Sequence, residues 1–357
     1  MQIPLIFVSM IGALNKAQKA DIGNIAAMLI SFAVAIFLPF KLFLFSYAVF
    51  GPLHYLTELG WLNKKDYFII AKKDSRYFTA FALIYTLSVF VLSLPQLDIS
   101  KDWFMNLDRE GDLFNFFIGS KDLFKFVTFS AFASAFIFMF VRASFYRFLL
   151  VIFAVIVGIK LTTVFTTGML YFGLFVPTII HVGLFTLLFM FYGAKKSNSK
   201  WGYISCALLV ALFALCTLLP ESVQAISGKV SDHIMAVYKS SSFDFLNKRI
   251  GYILGIFPQE NELDILSSGG KKIQILIAFA YTYHYLNWFV KTEIIKWHEV
   301  PKSRLIGIAI IWVLSILLYL YDYQIGLLAL LFLSMLHVFS EFPLNIVTIR
   351  SLLKGKS

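Results

Sequence analysis

Apolar residues run through this chain in blocks of about twenty, separated by short polar breaks, and a helix of that length crosses the hydrocarbon core of a bilayer. In chain order the pattern predicts spans over 22–40, 41–62, 77–95, 122–141, 148–165, 169–193, 201–219, 271–296, 305–320 and 325–347. Pro39 and Pro220 stop the first and seventh, and Gly269-Gly270 marks a break before the eighth. Residues 1–14 are apolar but too short to span, and are expected to form a short interfacial or docking helix. The long stretch 221–270 reads as an amphipathic helix over 222–240, followed by a short apolar segment from Ile250 to Phe257. The expected fold is therefore all-α: a polytopic membrane helix bundle of about ten transmembrane helices, one integral membrane domain over residues 1–357.

Composition agrees with this and removes the soluble classes. With 59% hydrophobic residues and 14% charged ones, too little polar surface exists to cover a water-soluble fold of 357 residues. The net charge of +11 changes the picture only through its distribution. Breaks 63–76, 142–147, 194–200 and 297–304 and the tail are net basic, whereas 96–121 is acidic and 166–168, 221–270 and 321–324 are not strongly basic. Basic residues collect on the cytoplasmic side of membrane proteins, so both termini are expected in the cytoplasm and 96–121 and 221–270 outside it. That accounts for the charge without nucleic acid as a partner. The expected location is a bacterial inner (cytoplasmic) membrane. Cys206 and Cys216 share one apolar block, so there is neither a disulfide framework nor a zinc-finger spacing.

Chemistry enters through four histidines. His54, His181, His284 and His337 fall on the second, sixth, eighth and tenth blocks, 13, 12, 13 and 12 residues from their outer ends. At ~1.5 Å per residue all four lie roughly 18–20 Å below the outer boundary, at one level. Two of them open the same phrase, His54-Tyr-Leu-Thr-Glu58 and His337-Val-Phe-Ser-Glu341, whose i,i+4 spacing puts His and Glu on one helix face. Asn287 and Lys291 follow His284 at i+3 and i+7 on its face, as candidate substrate-binding groups. Ionisable groups in mid-membrane are rare and point to function. Imidazoles with carboxylates suit iron, zinc or manganese, so the histidines are candidate metal ligands, and Glu58 and Glu341 candidate catalytic groups that orient imidazole N–H groups, ligate, or carry protons. A single membrane histidine can instead bond a neighbouring helix, and His233 and His298 are expected to be a solvated and an interfacial residue.

Walker A, G-x-G-x-x-G, G-x-S-x-G and HExxH motifs are absent, as are the closely spaced histidine boxes of membrane desaturases. The pattern points to a membrane-embedded metal-dependent enzyme, with non-haem iron as its cofactor, acting on a hydrophobic small molecule or lipid among the membrane lipids. A proton-coupled carrier using the His/Glu cluster as a relay, or a non-catalytic scaffold, are the alternatives.

Gly51-Pro52-Leu53-His54 on an early span, with single histidines on late spans, resembles the bacteriorhodopsin-related-protein-like (Brp/Blh) β-carotene dioxygenases. The likeness covers the second span and the eighth-to-tenth region. It lacks that family's pair of histidines four apart, and Gly does not follow His54. The resemblance implies a polytopic oxygenase cleaving a carotenoid at non-haem iron, and a ligand role for His54.

Overall fold

The computed structural model describes residues 15–65, 74–120, 122–256 and 264–354. The interfacial helix expected over 1–14 lies outside them, as do most of the basic break after the second block and the end of the apolar segment reaching Phe257. Among the described residues the fold is all helix and contains no strand. Eight helices are long and apolar enough to cross a membrane: Lys16–Phe37, Ser75–Ser93, Leu123–Phe140, Ser144–Val164, Thr166–Ser197, Lys200–Leu218, Lys302–Tyr321 and Tyr323–Leu353. Two further helical runs, 39–65 and Ser268–Val290, are of comparable length and carry the more polar sequence around His54 and His284.

Several boundaries differ from expectation, each for a local reason. The first helix begins at Lys16, where Asn15 and Gln18 form a capping box, and ends at Phe37. Pro39 opens the next helix rather than closing the first, since a proline at N1 lacks only an N–H that would be unbonded anyway. Gly269 and Gly270 do not break the chain; they sit in the first turn of Ser268–Val290, capped by Ser267. That helix ends at Val290, so Lys291 lies beyond it, and Lys296 turns through a left-handed conformation after Thr292–Ile295. The last helix runs to Leu353. Arg147, expected in a basic loop, is buried in the first turn of Ser144–Val164 and paired with buried Asp74. The stretch 221–270 holds Glu221–Ile226, Asp232–Ser240 and Phe243–Ile253 rather than one amphipathic helix over 222–240. The acidic stretch likewise contains two short helices, Asp98–Met105 and Asp112–Ser120.

Ser268–Val290 is the centre of the bundle. Every residue from Ile273 to Tyr285 is buried, as a helix surrounded by other helices requires. It packs against Lys16–Phe37, Pro39–Phe45, Lys200–Leu218 and Phe243–Ile253, and together these form one apolar cluster. A second cluster joins Ser75–Ser93, Leu123–Phe140 and the middle of Tyr323–Leu353. The helical run 166–197 contributes to both, through Val182 and Met190 on one side and Val176 and Phe185 on the other. On the outside, Ser144–Val164 and Lys302–Tyr321 expose stripes of large apolar side chains, among them Phe145, Phe153, Ile156, Ile310, Leu314 and Leu317. Stripes of that kind suit acyl chains rather than water.

Candidate metal centre

Three of the four histidine-bearing helices carry a proline, and two of them are π-helical beside it. Pro52 has no N–H for the carbonyl four residues back, and the preceding segment, Ser46–Phe50, is π-helical. Two neighbours take up carbonyls near this distortion: Trp312 Nε1 donates to Val49 O at 2.8 Å, and Tyr323 OH to Leu44 O at 3.0 Å. Pro177 similarly sits in a π-helical run, Val176–Phe185, that holds His181. Pro343 lies inside the helix that holds His337 and Glu341. Gly51 lets the helices approach, because a Cβ there would sit 3.2 Å from the Tyr285 hydroxyl.

The four histidines meet. Ring centres are 4.7 Å apart for His54 and His284, 4.8 Å for His284 and His181, 5.0 Å for His181 and His337, and 5.2 Å for His337 and His54. The imidazoles thus close a four-membered ring in the seam between the two apolar clusters. With Glu58 and Glu341, these side chains are only 2–7% exposed. Ligand atoms of His54, His284 and His337 fall within 4.8 Å of one another, as do those of His181, His337 and Glu341.

The repeated His-x-x-x-Glu phrase resolves into two different pairings. Glu58 Oε2 lies 3.1 Å from Nε2 of its own His54 and 3.9 Å from His337 Nε2. Glu341 does not pair with the histidine one turn before it on its own helix; its Oε2 lies 3.2 Å from His181 Nδ1. Among the described residues no lysine or arginine pairs with either glutamate. Two buried carboxyl groups in a low-dielectric seam thus have no lysine or arginine beside them, and such groups take up either a proton or a bound cation.

Two of the rings are oriented from behind. His337 Nδ1 donates to the Ser334 carbonyl at 2.7 Å, which leaves a lone pair on Nε2. His284 Nδ1 and Thr186 Oγ1 are 2.8 Å apart. Trp288, beside His54, is held by donating Nε1 to Thr57 Oγ1 at 2.9 Å. The Nε2 atoms of all four histidines, both nitrogens of His54 and His181, and Glu341 Oε2 make no hydrogen bond. Buried polar atoms left this way call for a ligand. Imidazole nitrogens about 2.1 Å from one cation put each ring centre roughly 3.2 Å from it, and neighbouring centres roughly 4.5–5.2 Å apart in square or tetrahedral arrangements. The measured spacings lie in that interval, and the ligand atoms themselves gather as two sets of three, His54/His284/His337 and His181/His337/Glu341, which share His337, so either set offers three donors to a cation.

A cavity of about 520 Å³ reaches this seam. His54, His284, Glu58 and Glu341 line its deep end, and Asn287 and Lys291 line it as well, as their spacing from His284 implies. Toward the chain's basic breaks it is bordered by Lys196, Ser197 and Asp21. His233 and His298 are exposed and take no part. Thr186, the Ser334 carbonyl, Trp288 and Asp21 are site residues beyond those expected from the sequence. Thr186 and Asp21 act across helices, which no spacing along the chain encodes; Ser334 and Trp288 stand three and four residues from a histidine, a spacing that could have pointed to them. No family model, curated protein or solved structure matches this chain.

Proposed function

We propose that the protein is a membrane-embedded, metal-dependent oxygenase-like enzyme, with non-haem iron held by His54, His181, His284 and His337 and a lipid, isoprenoid or carotenoid as substrate. The observation that carries this reading is the closed ring of four buried imidazoles, each with an unbonded Nε2. A bound iron would supply redox chemistry at carbon that side chains lack, and zinc or manganese would suit the same donors. Thr186 and the Ser334 carbonyl hold the rings of His284 and His337, and Glu58 and Glu341 would balance a bound ion's charge or exchange protons at Oε2. The apolar clusters on either side of the seam limit bulk water at the reacting atoms. The resemblance of Gly51–His54 to the Brp/Blh element supports the ligand role of His54.

The same reading includes ten spans, the eight apolar helices together with 39–65 and Ser268–Val290, and both termini on the cytoplasmic face of a bacterial inner membrane. The proton-relay alternative draws on the two His–Glu approaches at 3.1 and 3.2 Å. Elemental analysis of purified protein separates the two. The enzyme reading expects near-stoichiometric iron, zinc or manganese that His54→Ala and His284→Ala both abolish; folded protein that stays metal-free after reconstitution rejects it.

A further inference from the structure

We propose that the cavity below the histidine ring binds a single-chain amphiphile with an anionic head, admitted from the basic face of the protein, its head on Lys291 and Lys196 and its chain directed at the four histidines. This deepens the enzyme reading by assigning it a substrate class, and relies on that reading for the reaction though not for the binding.

The cavity is graded in charge along its length. Its deep end carries two carboxylates, Glu58 and Glu341; its outer part carries the ammonium groups of Lys291 and Lys196 against the single carboxylate of Asp21. Among the described residues neither lysine has an ion-pair partner within 4.0 Å, and Asp21 attracts Lys291 through space. An anion is therefore held at the outer end by the two ammonium groups, while the apolar walls take its chain, which fixes the direction in which an amphiphile lies. Between these poles the walls are apolar and aromatic, with Phe189, Met190, Trp61, Trp288, Ile295 and Leu344 as the surface for a hydrocarbon chain. A volume of about 520 Å³ is that of a site for one small ligand. Asn287 Oδ1, buried in the cavity wall, makes no hydrogen bond. Asn287 can turn its amide N–H toward the same head group. His284 and Lys291 are seven residues apart, so about 10 Å separates the head from the imidazole layer. Of the hydrophobic substrates that a mid-membrane site could take, those with an anionic head at that distance from the reacting carbon fit both ends.

Trp288 and Trp61 line the cavity and report on it directly. The whole protein in lipid nanodiscs is titrated with dodecanoate, dodecyl phosphate and dodecanol, each brominated at its terminal carbon, and tryptophan quenching is followed. At least one of the two anionic probes is expected to quench saturably, about ten-fold more tightly than the alcohol, as one charged hydrogen bond implies. The two acids compared tell a carboxylate head from a phosphate head. Trp288→Phe should remove most of the saturable signal, and Lys291→Gln should bring the acids to the level of the alcohol. Equal quenching by all three probes, or no saturable component, overturns the proposal, and because that ranking is read on the unaltered protein it stands even if Lys291→Gln fails to fold. The titration is repeated after chelation. Anion-selective binding by a protein that never holds metal sustains this site while rejecting the enzyme reading, and a metal-loaded protein with no anion preference does the reverse.

Discussion

Glu58 and Glu341 occupy the same position in the same five-residue phrase and yet do different things. Glu58 faces its own His54 and also His337; Glu341 crosses to His181 on another helix. The i,i+4 spacing fixes only the face on which a side chain starts, and the neighbouring helix decides which partner it reaches. Thr186 makes the same point, lying five residues after His181 in sequence but bonding His284. A group that holds the far nitrogen of a ligating imidazole typically governs metal affinity, so Thr186→Val should weaken metal binding about 10–100-fold. Competition against a chelator of known affinity measures this, with an unchanged circular dichroism spectrum as the control. A metal affinity that stays at the wild-type level would remove Thr186 from the centre.

At the scale of elements, close helix contacts are made by small residues and by one buried ion pair. Gly270 sits against the turn before its helix, where an added Cβ would come 2.5 Å from the backbone of Ile265. Gly270→Ala should therefore cost about 1–3 kcal/mol, seen as a lower unfolding midpoint in detergent. Gly307→Ala, with nothing within 4 Å, should leave the midpoint level or raise it through helix propensity. Arg147 and Asp74 join the start of Ser144–Val164 to that of Ser75–Ser93. Arg147→Met takes the guanidinium away from a buried carboxylate and should cost about 3–5 kcal/mol, of which the double variant with Asp74→Asn recovers a part. Equal midpoints for the single and the double variant would mean that the charge on Asp74 is already screened in another way.

At the scale of the whole molecule, two apolar clusters meet along a polar seam, and helices that expose stripes of large apolar side chains lie around them. The distribution of charge between breaks implies an orientation that can be tested. In a background without Cys206 and Cys216, Asp98→Cys should react with a membrane-impermeant thiol reagent from outside the cell, and Lys302→Cys only after the membrane is opened. Labelling on the opposite sides would invert the topology and put the cavity mouth on the external face.

How much was legible follows from these scales. Apolar blocks of spanning length, and four histidines at one count from their outer ends, are properties of the sequence, because helix rise converts residue number into depth. Depth alone brought His54, His181, His284 and His337 to one level, and their i+3, i+4 and i+7 neighbours to one side of it. Boundaries at Pro39 and Gly269-Gly270 were misread because both residue types serve at helix starts as well as at breaks. The break within 222–240 was missed because amphipathic spacing persists across a short interruption. Rotation about each helix axis, and which helix stands beside which, were left to the tertiary structure, since they depend on packing between segments far apart in the chain. That is what turned four histidines at one depth into a closed ring, sent Glu341 to His181 rather than to His337, and brought Asp21, Lys196 and Lys291 to the mouth of one cavity.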